Sequence, residues 1–280
     1  MAIIFLLFII VFLLFSIPAV QTKLGKYATK KVNKEFGTNI NIDRVGLQLN
    51  GDVELKNIYI EDYKQDTLIS IAELNTSILS FNKLYNGVLT FGDIDMYDVI
   101  FNLKTYEGER DTNMDIFVAR FDDDTPKDEK SDFLLSSSDV SIENGRITLT
   151  DENKDPEHIF QFNALDINAT DFLILGPDVS ARINKLAFED SRGVKVNNMT
   201  TNFTYTREHM IFDFLQIKTE NSILKGDLRF DYKREDLQYF TDKVQIQATF
   251  NDSKIALNEL NAFYNEFGKQ QIASLNTTLY

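Results

Sequence analysis

Only two histidines, His158 and His209, occur among the 280 residues, and there is no cysteine. Thiolate nucleophiles, thiolate metal sites and disulfides are therefore excluded. The two histidines fall in a loop and near a strand start, with no metal-ligand spacing to each other or to carboxylates, and structural histidines are the plainer reading. Asp122, Asp123 and Asp124 form an acidic run, but they lack the interleaved, glycine-turned spacing of a calcium loop; a solvated acidic loop accounts for them. No glycine-rich phosphate loop and no Gly-x-Ser-x-Gly elbow is present. The 43 acidic residues make chance carboxylate pairs inevitable, so carboxylates alone carry no case for a glycosidase. Triplets such as Asn75-Thr76-Ser77, Asn198-Met199-Thr200 and Asn202-Phe203-Thr204 matter only in a glycosylating lumen. The expectation is a protein that is not an enzyme and holds no cofactor or metal.

What remains is chemistry of surfaces. The formal charge is −14, yet Gln21 to Phe36 carries five lysines and one glutamate, +4, which leaves −18 for the rest. An acidic body argues against nucleic acid as a partner. The basic stretch follows an uncharged one, Ala2 to Val20, which as a helix is about 28 Å long, close to the hydrocarbon thickness of a bilayer. Residues 1–20 are accordingly read as a transmembrane signal anchor, with Ile3, Phe5, Leu6, Phe8, Ile10, Phe12 and Leu14 among its apolar side chains. A cleaved signal peptide is the alternative, although Ile17 occupies a position where cleavage after Ala19 wants a small residue. Lys23, Lys26 and Lys30 are expected to face lipid headgroups, with a solvated helix face as the plain alternative.

The elements follow from periodicity. Residues 21–37 read as an amphipathic juxtamembrane helix, with Val20, Leu24, Tyr27, Ala28, Val32 and Phe36 on one stripe and Gly37 as its stop. From Thr38 the period changes to two. Ile40 and Ile42, then Val45, Leu47 and Leu49, then Val53 and Leu55 alternate with polar residues; Ile58 and Ile60 take the other phase, which predicts a bulge near Lys56 or Asn57. Further strands are expected over 68–79, 88–91, 94–104, 133–142, 146–150, 159–169, 179–188, 194–205, 210–218, 222–232 and 244–251. Short helices are expected over 114–121 and 257–267. The domain reading is a first β segment over 38–121, an acidic loop over 122–132 and a second β segment over 133–280. Gly51, Gly87, Gly145 and Gly226 each precede an alternating pair of apolar residues, as turn glycines that launch strands. The segment from Leu275 to Tyr280 reads as a strand cut short, so the expectation is the N-terminal portion of something longer.

These residues resemble a known family. A membrane span, a helix ending in Phe36-Gly37, the run Thr38-Asn-Ile-Asn-Ile-Asp-Arg-Val-Gly46 and the run Gly51-Asp-Val-Glu-Leu-Lys-Asn-Ile-Tyr-Ile-Glu-Asp62 look like the start of AsmA-like proteins. More narrowly they resemble the Bacteroidota form of TamB, the translocation and assembly module subunit. The stretches Asp66-Thr-Leu-Ile69, Ile78-Leu-Ser-Phe81, Gly92-Asp-Ile-Asp95, Asp111-Thr-Asn-Met-Asp-Ile-Phe117, Ile142-Glu-Asn-Gly-Arg-Ile147 and Ala256-Leu-Asn-Glu-Leu-Asn-Ala-Phe263 fit that form. The resemblance implies a mainly β fold: a long, curled, antiparallel-rich sheet forming an elongated, bridge-like groove behind the N-terminal helices, with short helices interrupting it. It also implies a single-pass inner-membrane anchor with the bulk in the periplasm of a Gram-negative bacterium. The implied role is conduction of phospholipids toward the outer membrane and support of outer-membrane assembly, with an outer-membrane barrel protein as a partner of regions not present here. The lysines after the span oppose this orientation, because the positive-inside rule read alone keeps them cytoplasmic.

If the groove exists, its lining is expected at one-face apolar positions such as Leu224, Leu228, Phe230, Val244, Ile246 and Phe250. Two alternatives use the same residues. One is a chaperone-like or structural module for outer-membrane protein assembly, with a sheet edge binding client strands. The other is a membrane-tethered β-sandwich binding module whose apolar faces fill a dry core.

Overall fold

The structure is a computed structural model that describes residues 18–48, 50–80, 88–120, 134–154, 158–175, 178–233, 243–260 and 272–279. The residues named for the membrane span, Ile3 to Leu14, and the acidic loop 122–132 lie outside these. Among the described residues no helix is long and apolar enough to cross a membrane.

The chain is mainly β and forms one large, curled-open sheet. Helix α1 (Pro18–Phe36) precedes β1 (Asn39–Leu47), β2 (Asp52–Glu61), β3 (Thr67–Ile78) and β4 (Val88–Thr105). Helix α2 (Asn113–Ala119) stands before β5 (Leu134–Asp151), β6 (His158–Leu175), β7 (Asp178–Asp190), β8 (Lys195–Tyr205), β9 (His209–Thr219), β10 (Ile223–Asp231) and β11 (Gln245–Ala256). Helix α3 (Leu257–Leu260) and β12 (Ile272–Leu279) complete it. The twelve strands lie side by side in sequence order. Neighbours pair antiparallel except β4 and β5, which run parallel from Val88↔Leu134 to Thr105↔Asp151. A parallel pair needs a crossover, and α2 stands in it. The strands on either side of the acidic loop are thus hydrogen-bonded neighbours in the same sheet.

The bulge expected near Lys56 or Asn57 is present, with Asn57 at φ +50°. It is one of many. Asp98, Asn144, Ala164, Asp171, Phe214 and Asp252 also take positive φ inside strands. At each, the apolar phase slips by one residue: Ile94 and Met96 give way to Val99, Phe101 and Leu103 across Asp98, and Val140 and Ile142 to Ile147 and Leu149 across Asn144. Five of the seven are Asn or Asp, the side chains that tolerate the left-handed region best after glycine. The kinks let each strand bend while keeping its apolar side chains on the same face.

Two sequence expectations change here. The Gly92-Asp93 and Asn144-Gly145 pairs were expected to separate strands, but β4 and β5 run through them unbroken. Gly145 and Gly226 sit inside strands rather than at turns. A Cβ on Gly226 would overlap the carbonyl oxygen of Thr249 on β11, so this glycine permits close approach of the neighbouring backbone. Gly51, at φ +95°, is a turn glycine as expected.

Helix α1 ends at Gly37, which has φ +66°, the left-handed stop its position predicted. Its packing differs from the expected apolar stripe, because Tyr27 is 72% exposed. Polar side chains of α1 bond the sheet directly. Gln21 donates to the carbonyl of Leu47 at 2.6 Å and accepts from its N–H at 2.9 Å. Asn33 treats Ile40 the same way, at 2.8 and 2.9 Å, and Thr22 bonds both backbone groups of Val45. These side chains satisfy the outward backbone groups of the edge strand β1, as a neighbouring strand would. Gly25 lets the helix come this near, since a Cβ there would overlap Val45.

Candidate functional site: an uncovered apolar face

Facing residues on neighbouring strands share a side of the sheet. One such row runs Val45, Leu55, Leu74, Met96, Ile142, Ile167 and Leu186, each paired with the next. At about 4.8 Å per strand it spans roughly 29 Å. Ile58, Ile71, Val99 and Ile142 form its buried centre. A second row continues on the same face, Val179, Tyr205, Met210, Phe230 and Ile246. Beside it lie Ala181, Phe203, Phe212, Leu228 and Ala248. Phe212 stands edge-on to Phe230 with ring centroids 6.2 Å apart.

Among the described residues no second layer lies on this face. Leu55, Ile60, Ile69, Leu74, Met96, Phe101 and Ile167 pack on the buried centre but stay partly exposed, and Ile246 is 42% exposed. Two sheets closed on each other would bury these side chains, so the sandwich expectation does not describe the molecule. The opposite face is polar: Lys56 pairs with Glu54 and Glu73 at 3.0 and 3.1 Å, and Arg229 with Asp231 at 2.7 Å.

The residues expected to line a groove fall on this face. Phe230 pairs with Ile246, Leu228 with Ala248, and Gly226 with Phe250; Leu224 pairs with Ile217. Val244 stands one residue before β11 and is partly buried. Lys23, Lys26 and Lys30 are exposed on α1, as are Lys31 and Lys34.

The histidines do not converge. His209 starts β9 and approaches Asp231 at 3.4 Å, with Arg229 on the same carboxylate; the Arg229 guanidinium holds the Asp231 carboxyl below its usual range. His158 opens β6.

A dense polar cluster lies where β2 turns into β3, under α2. Buried Asp62 accepts from Tyr106 at 2.7 Å, from Asn113 at 3.0 Å, and from the N–H groups of Lys64 and Asp66. Burial alone would push its carboxyl up, but these four donors outweigh it and hold the carboxyl below the usual range. The same burial and the neighbouring carboxylates push the Tyr106 hydroxyl far up, so it stays a donor. Four donors leave Asp62 little capacity for a ligand. The cluster is a clasp that pins α2, whose Thr112–Asp115 capping box fixes its first turn.

Sequence reading did not find the polar latch of α1. Its signal was present in Gln21, Thr22, Gly25 and Asn33, which recur at helical spacing.

No protein-family model matches the chain, and no curated protein is similar to it.

Proposed function

We propose that the curled sheet is a groove for lipid acyl chains, held at a membrane by the N-terminal segment and carrying phospholipid between membranes of a bacterial envelope. The observation that supports this most is the continuous apolar face from β1 to β11, which no second layer covers among the described residues. Its cost in water is offset when it meets another apolar partner, and each acyl CH₂ removed from water contributes about 0.8 kcal/mol. A row of roughly 29 Å accommodates about two acyl-chain lengths, since a bilayer core of two leaflets is about 30 Å. A face of near-uniform Ile, Leu, Val and Phe offers similar energy at successive positions, so a chain slides along it. Headgroups stay at the open, wet edge, which requires no catalytic group. The resemblance to AsmA-like proteins of the TamB type agrees with this reading and supplies the proposed setting, an inner-membrane anchor with the sheet in the periplasm.

The test is lipid retention. The full chain purified from a bacterial membrane in mild detergent should carry phospholipid, measured by mass spectrometry of the extracted complex. Phe230→Asp and Leu228→Asp, which put charge on the face without touching a buried centre, should lower the bound lipid severalfold. Lipid content equal in wild type and both variants would discard the groove.

A further inference from the structure

We propose that helix α1 is a docking surface for an anionic lipid bilayer. At 100° per residue, Lys23, Lys26, Tyr27, Lys30, Lys31 and Lys34 fall within an arc of about 140°. All six are exposed. Gln21 and Gly25, with Val32 near them, lie on the opposite side of the helix, and Thr22 and Asn33, which also bond β1, lie at the margin between the two sides. The two sides therefore have separate work: one is fastened to the sheet edge, the other is presented outward as a fixed array of cations around one aromatic ring. The remainder of the chain carries −18, so the array is a local reversal of sign rather than part of a basic surface. No salt bridge to these lysines occurs among the described residues.

The form of the array favours a plane over a point ligand. Five cations spread over the 12 residues from Lys23 to Lys34 span roughly 16 Å of helix. That suits many phosphates side by side, and an exposed tyrosine suits the interface between headgroups and acyl chains. Sequence supplies the second argument for a bilayer: the uncharged run Ala2 to Val20 leads directly into α1. The docking does not depend on the groove reading, because it uses none of the sheet's apolar face.

The absence of cysteine makes the experiment direct. Tyr27→Cys in the full chain gives a single thiol, which is labelled with an environment-sensitive fluorophore and reconstituted into nanodiscs. Discs containing phosphatidylglycerol should shift the emission to the blue relative to discs of phosphatidylcholine alone. The shift should be lost in about 0.5 M salt, where screening shortens to a few ångströms, and in the triple variant Lys23→Gln, Lys26→Gln, Lys30→Gln. These side chains are exposed, so the triple variant should keep its far-UV circular dichroism. Equal emission in both kinds of disc, or an undiminished shift in the triple variant, overturns the proposal. A shift at position 27 with no lipid retained by the sheet would discard the groove alone.

Discussion

At the scale of single residues the fold depends on side chains that accept an unusual backbone. Asn144 holds φ +56° and donates to Asp98 on the neighbouring strand. Asn144→Gly should leave stability within about 0.5 kcal/mol, whereas Asn144→Val should cost about 1–2 kcal/mol, because a β-branched residue resists the left-handed region; urea unfolding distinguishes them. Asp62 gives a pH prediction. Its folded carboxyl is held below its ordinary value, so its contribution is present above about pH 4 and is lost as pH falls through the folded value. Asp62→Asn should cost about 1–2 kcal/mol at neutral pH, and the gap to wild type should close as the pH drops below about 4. Urea midpoints at pH 7 and pH 3 measure it. The sequence announced one of these kinks, at Asn57, because two clean alternating runs flank it. Asp98 and Asn144 were harder to see: Asn144 is followed by Gly145, and Asn-Gly reads as a turn when the strand's neighbours are unknown.

At the scale of elements the informative unit is α1 with β1. The helix was legible from its spacing and its glycine stop. Its mode of packing was not, since an apolar stripe predicts burial of Tyr27 and the structure turns that residue outward. The reason is that β1 offers an edge of backbone donors and acceptors, and Gln21, Thr22 and Asn33 satisfy these better than an apolar side chain. Exposed edges invite pairing with another chain. Asn33→Ala should therefore raise amide exchange at Ile40 and promote association at high concentration, seen by size-exclusion chromatography. Gly25→Leu should be worse, costing about 1–3 kcal/mol of overpacking against Val45, with the same increase in exchange along β1.

At the scale of the whole molecule the sequence conveyed a β protein with one apolar face per strand but not how those faces are disposed. Alternation in Val244, Ile246, Ala248 and Phe250 is the same whether a second sheet lies above or not. Strand order supplies part of the answer, and it is a long-range property: the strands neighbour one another in order in one curled-open sheet, so the faces add up side by side. The kinks at Asn57, Asp98 and Asn144 keep that face continuous while the sheet curls. A single-layered sheet with a broad apolar face is costly in water unless something lies against it, and the account assigns that place to acyl chains. The most direct measurement is photo-crosslinking in cells at adjacent positions of β11, with the photoreactive residue at Ile246 on the apolar face or at Gln247 on the polar face. The account predicts phospholipid adducts at Ile246 and none at Gln247. Absence of lipid at Ile246, or equal labelling at both positions, would contradict it.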